Sequence, residues 1–257
     1  MRFLTALCVL TLVGFSSTAA QADNHGDCSS LPDHAALKAA LAEARAQSNG
    51  GLNLDMWGTI VDRTGRVCAI AYTGADAGAQ WPGSRLISAQ KANTANAFSL
   101  DGLALSTANL YYPTQPGQSL FGLQISNPIN VPAAYNKKGS LDNFGTTKDP
   151  LTGEFIGGVN VFGGGLALYN EDGKVIGAVG VSGDTSCADH NIAWRTRHSL
   201  TLDYVSAGVS ADKNDQIIFD MKDGASAGGF GHPACGAGVA EIAASLPATR
   251  SIEVAGE

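Results

Sequence analysis

Cationic side chains are scarce in this sequence. Its 257 residues carry 16 Lys and Arg against 23 Asp and Glu, a formal net charge of −7, with no basic run. Such a balance gives no electrostatic footprint for nucleic acid or an anionic membrane surface. Long apolar runs are equally scarce: the one candidate, Phe3 to Phe15, is too short to span a bilayer. Only five cysteines and five histidines are present. No G-x-S-x-G, H-E-x-x-H, Walker or dinucleotide-binding glycine pattern occurs, so no motif favours a named reaction.

The N-terminus does carry a pattern. Arg2 precedes the apolar run, and small residues lead to Ala20-Gln21-Ala22, the layout of a secretory signal peptide over residues 1–22. Residues 23–257 are then expected as a periplasmic or secreted single domain without membrane insertion. Cleavage removes Cys8 and leaves Cys28, Cys68, Cys187 and Cys235, an even number in an oxidising compartment. Glycine is abundant, 32 residues without a G-x-y period, which points to tight turns and close backbone approaches.

Periodicity supplies the architecture. "SLPDHAALKAALAEARAQSNGG" predicts a helix with Ser30 and Asp33 as a capping box. "LNLDMWGTIVDRTGRVCAIAY" predicts a hairpin turning at Asp62–Gly65, and "SRLISAQKANTANAFSL" a helix capped by Ser84. Residues 101–153 hold Pro113, Pro116, Pro128, Pro132 and Pro150, which exclude long helices and central strands. Their apolar content suggests a packed insertion lying over a ligand site. "EFIGGVNVFGGGLALYNEDGKVIGAVGVSGD" predicts two buried strands about the turn Asn170–Gly173. A helix from Cys187 to Tyr204, capped by Asp184-Thr185-Ser186, comes next. The cysteine-bearing tail, residues 207–257, adds a strand at "QIIFD" and a short helix near Val239–Leu246. The order implies an α+β domain with a central antiparallel sheet flanked by helices.

Two short motifs in the C-terminal half mirror each other. Cys187 and His190 form C-x-x-H; His232 and Cys235 form H-x-x-C. Four such ligands suit tetrahedral zinc. In an exported chain a Cys187–Cys235 disulfide competes with that reading and is favoured, leaving Cys28 to pair with Cys68 by elimination. His190 and His232 would then lie together and remain free for a metal. His190, Trp194 and His198 fall on one helical face, so His198 is a further candidate.

The stretches "VDRTGRVCAIAYTG", "SAQKANTANAF" and "GGGLALYNEDGKVIGAVGVSG" resemble the signature segments of the GlcG/HbpS-like proteins, a haem-binding or haem-degrading family. The resemblance covers roughly residues 34–100 and 154–205. It implies a profilin-like sandwich, a homo-oligomer, and haem or another small ligand as partner. On the matching helix motif, Lys91 becomes the cation for an anionic ligand group such as a haem propionate. Phe162, Gly163, Gly164 and Gly165 would let a ligand approach the backbone. Asn127 and Tyr135 lie on a loop able to close a pocket, and Tyr111 can stack on or ligate a flat cofactor. Two functions follow. One is an exported haem- or small-ligand-binding protein. The other is a lyase, isomerase or hydrolase acting on a small oxygenated substrate, with Lys91 and a tyrosine or histidine as acid and base.

Overall fold

The computed structural model describes residues 27–135 and 140–252. The expected signal peptide, with Cys8, and His25 lie outside the described residues.

Helix α1 (His34–Arg45) begins at Asp33, whose carboxylate accepts the Ala36 N–H at 2.9 Å. Ser30 takes no part in that cap, because it belongs to a 3-10 turn over Cys28–Ser30. Strands β1 (Trp57–Asp62) and β2 (Val67–Tyr72) form the expected hairpin. Gly65 takes φ +89°, a left-handed conformation that side-chain-bearing residues resist, and Asp62 accepts the N–H groups of Thr64 and Arg66. Helix α2 (Ser84–Phe98) starts one residue earlier than Ser84 capping requires: Gly83 holds the cap position, and the Ser84 hydroxyl accepts from Ser182 instead.

Between α2 and the next strand the described backbone forms 3-10 turns and two single-turn helices, α3 (Leu123–Ser126) and α4 (Val131–Ala134). This agrees with the proline content. Strands β3 (Gly165–Tyr169) and β4 (Val175–Ser182) follow, then helix α5 (Ser186–Ser199). Thr185 caps α5, which ends five residues before the expected Tyr204 because Thr201 enters the left-handed region at φ 59°. The expected strand at Gln216–Asp220 is not one. That segment is fixed by isolated contacts to α5 and the tail, and among the described residues the ladder nearby joins β5 (Met221–Lys222) to β6 (Ala225–Ser226). Helix α6 (Val239–Ala244) forms as expected.

The four long strands make one antiparallel sheet in the order β2-β1-β4-β3. Leu37 and Leu41 of α1 and Ile192 and Trp194 of α5 pack on one face, against Ile60, Val179 and Val181. Ala89, Ala92 and Ala95 of α2 pack on the other, against Trp57, Val61 and Ala178. Glycine sets how close α2 lies. Gly165 and Gly180 are cross-strand partners. A Cβ at Gly180 would stand 2.0 Å from the Ser88 carbonyl oxygen, and one at Gly165 would stand 2.4 Å from that of Lys91. Small residues on helix and sheet together bring two backbones into contact.

Candidate functional site

Helix α2 and helix α5 meet across the end of β4, and each sends one charge into the meeting point. Lys91 Nζ donates to Asp189 Oδ2 at 2.6 Å and to the Val181 carbonyl at 3.1 Å. Its ammonium lies 4.6 Å from the Phe162 ring centroid. Neither side chain of the ion pair reaches solvent in any useful measure, at 0% and 1% exposure. Burial disfavours both charges: it lowers Lys91 from its ordinary range and raises Asp189 to about 6, and each partner opposes the other's shift. Asp189 Oδ1 also accepts the Asp184 N–H at 2.9 Å.

Sequence reasoning brought Lys91 and Phe162–Gly165 to one place, and the structure does too. The glycines, however, are occupied by the chain itself. A Cβ at Gly163 would lie 2.2 Å from the Ser186 carbonyl, and one at Gly164 would lie 2.3 Å from Val181 O and 2.9 Å from Lys91 Nζ. Asp189 was not singled out from sequence. Its signal was its position: an acid in the first turn of a helix, where the dipole favours it, and a counter-charge for a lysine on an apolar face.

The mirrored motifs resolve as a disulfide. Cys187 and Cys235 have sulfurs 2.05 Å apart, and Cys28 and Cys68 form the second bridge. A zinc thiolate site at Cys187 and Cys235 is thereby excluded. Burial, and after it the positive charge of Arg197, hold His190 well below its ordinary pKa, with smaller contributions from His232 and Lys91. His190 Nε2 accepts the Ile217 N–H at 3.1 Å, so Nδ1 carries the proton, and Nδ1 has no partner among the described residues. His232 Nδ1 donates to Pro233 O at 2.8 Å, and its Nε2 faces the Ser186 hydroxyl at 3.3 Å. Tyr111 packs against the His232 ring, with centroids 5.0 Å apart.

Two candidates stand elsewhere. His198 bonds Asp203 at 2.7 Å and is joined by Arg250. Asn127 is exposed and bonds its own turn, at Leu123 O and Ser126 Oγ.

A tetrapyrrole requires an apolar slot, an axial donor and room for its carboxylates at a wet edge. The Lys91 cluster does not offer the slot, because its glycine cradle is filled by backbone. A cleft of about 910 Å³ near Arg63, Leu100, Asp101, Lys174 and Ile176 has the volume, but Asp27 and Asp101 line it and no imidazole, thiolate or phenol does. A groove of about 490 Å³ fits better. Leu86, Ala133, Leu141, Phe144 and Pro150 line it, with the Tyr135 phenol at its edge. One wall is braced where Arg85 of α2 donates through Nε to Asp149 at 2.9 Å and stacks 4.0 Å from the Phe144 ring centroid. Asp149 also accepts the Gly145 and Leu151 N–H groups.

A family model described as "Haem degrading protein HbpS-like" matches residues 32–197. Two solved structures are similar. Protein ORFY of Klebsiella pneumoniae is 25% identical, with 66% of this chain and 90% of that one covered and a TM-score of 0.45. A PduOC–haem complex is also 25% identical, with 66% and 94% covered and a TM-score of 0.44. No curated protein matches the sequence.

Proposed function

The chain belongs to the HbpS-like family of haem-degrading proteins, and on that premise we propose that it binds haem in the groove beside Tyr135. The observation that carries the site is the pairing of an apolar groove with a phenol that is 68% exposed at its rim. Phenol oxygen is an established axial donor to haem iron. Leu86, Leu141 and Phe144 would face the ring, and the propionates would stay at the open mouth, since the Arg85 charge is already met by Asp149. Bound haem supplies the iron and the conjugated ring; the chain supplies the apolar walls, the donor and a braced backbone.

Residues 101–153 are proposed as an addition to the sandwich that builds the outer wall, because Ala133, Tyr135, Leu141, Phe144 and Pro150 all come from it. Two disulfides support a working place outside the reducing cytoplasm, in line with the expected signal peptide. Exposed Phe121, Ile125 and Val131 support assembly into a homo-oligomer. Acid–base catalysis by Lys91 has less support, because the amine is fully buried and bound to Asp189.

Haemin titrated into the full chain should produce a Soret band that saturates at one haem per chain. A featureless, unsaturable increase would overturn the proposal.

A further inference from the structure

The N-terminus of α5 holds a second arrangement, remote in chemistry from the haem groove and independent of it. His232 donates its Nδ1 proton to the Pro233 carbonyl at 2.8 Å. A carbonyl only accepts, so the neutral ring keeps that proton on Nδ1 and its Nε2 lone pair is open. That lone pair faces Ser186 Oγ at 3.3 Å. A hydroxyl, a base holding a free lone pair toward it, and a third group fixing the base's tautomer are the parts of an activated nucleophile.

The surroundings hold these parts in place. Cys187 follows the serine directly, and its disulfide to Cys235 pins the loop that carries His232. Tyr111 covers the imidazole, which is 2% exposed, while Ser186 is half-buried, its hydroxyl 3.4 Å from the Cys235 sulfur. Burial holds His232 down at about 4, so the ring is neutral at physiological pH. The Cys187 N–H spends itself on the Cys235 sulfur at 3.2 Å, a weak acceptor, and stands at the start of a 14-residue helix. A developing oxyanion would find a donor there.

We propose that Ser186 and His232 form a nucleophile–base pair that takes an acyl group from a small uncharged ester. Ser186 Oγ attacks the ester carbonyl carbon, and its proton passes to His232 Nε2. The bond from that carbon to the alcohol oxygen breaks, and the alcohol leaves with the proton from Nε2. Water then attacks the acyl-serine, releasing the acid and restoring the hydroxyl. The acyl group must be short, because the imidazole is buried under Tyr111 and the serine itself is only partly exposed. It must be uncharged, because the walls are an aromatic ring, Pro233 and a disulfide.

The test uses the full oxidised chain and an alkyl fluorophosphonate, which traps activated serines. Peptide mass mapping should find the adduct on Ser186, absent in Ser186→Ala. His232→Gln should slow labelling at least about 100-fold, the low end of what a general base contributes. Melting curves identify whether His232→Gln has folded. If it has not, p-nitrophenyl acetate decides: the wild type should release a burst of nitrophenolate equal to the chain concentration, and Ser186→Ala none. No adduct at Ser186, labelling unchanged in a folded His232→Gln, or a burst that persists in Ser186→Ala would each overturn the proposal.

Discussion

Lys91 and Asp189, ninety-eight residues apart, meet at 2.6 Å inside the protein and tie the helix on one face of the sheet to the helix on the other. The pair does for the fold what a ligand would otherwise have to do for the lysine: it supplies the counter-charge. Removing one member leaves the other buried and uncompensated. Lys91→Met should therefore lower unfolding stability by about 3–5 kcal/mol while leaving haemin affinity unchanged, and a Lys91→Met, Asp189→Leu double variant should recover much of the loss. Denaturant unfolding of the three chains measures this. A wild-type melting curve in Lys91→Met, or a selective loss of haemin affinity, would contradict it.

The buried histidines set an acid limit. His232 is lowered to about 4 and His190 well below 6.5, both mainly by burial, so the unfolded chain binds protons that the native chain refuses. Stability is then complete above pH 6.5 and falls as pH drops toward 4. Asp189 acts in the opposite sense between 3.8 and about 6, where its native form holds a proton more tightly than the unfolded one, but it is one group against two. Melting temperature should decline steadily from pH 6.5 to 4, and a folded His232→Gln should decline less steeply.

Close backbone contact makes Gly180 intolerant of a side chain. Gly180→Ala would force the Ser88 carbonyl away from a Cβ 2.0 Å distant, lifting α2 from the sheet. A loss of about 1–3 kcal/mol or more is expected. Gly102→Ala is the control, since nothing stands within 4 Å of its Cβ position. Equal effects of the two substitutions would show that the glycine contact is not what sets the spacing.

The disulfides predict no free thiol at Cys28, Cys68, Cys187 or Cys235 in the oxidised chain, by alkylation and intact mass. Replacing Cys187 and Cys235 by Ala opens a closure of 48 residues and should cost about 4 kcal/mol in the chain-entropy model.

Much of this was legible in the sequence, for identifiable reasons. Alternation exposed the β1–β2 hairpin, helical spacing exposed α2, and cysteine parity in an oxidising setting favoured the pairing now seen. Local pattern failed where a distant contact decides. "QIIFD" has strand composition, yet its backbone is held by His190 and its flank by Asp215 locked to Arg197 at 2.7 Å, so it pairs with no strand among the described residues. Nothing near Lys91 in sequence announced Asp189, and nothing near Ser186 announced His232. Those relations exist only once α2, α5 and the tail converge. The glycine run was visible, but its use, backbone packing rather than ligand approach, depended on which helix lies above it.

The most direct test is haemin titration of the wild type and Tyr135→Phe side by side, with His198→Ala as the comparison. The wild type and His198→Ala should give the same saturable Soret band. Tyr135→Phe should change its position and weaken affinity at least tenfold, about 1.4 kcal/mol. A Tyr135→Phe titration superimposable on the wild type would contradict the assignment of haem to this groove.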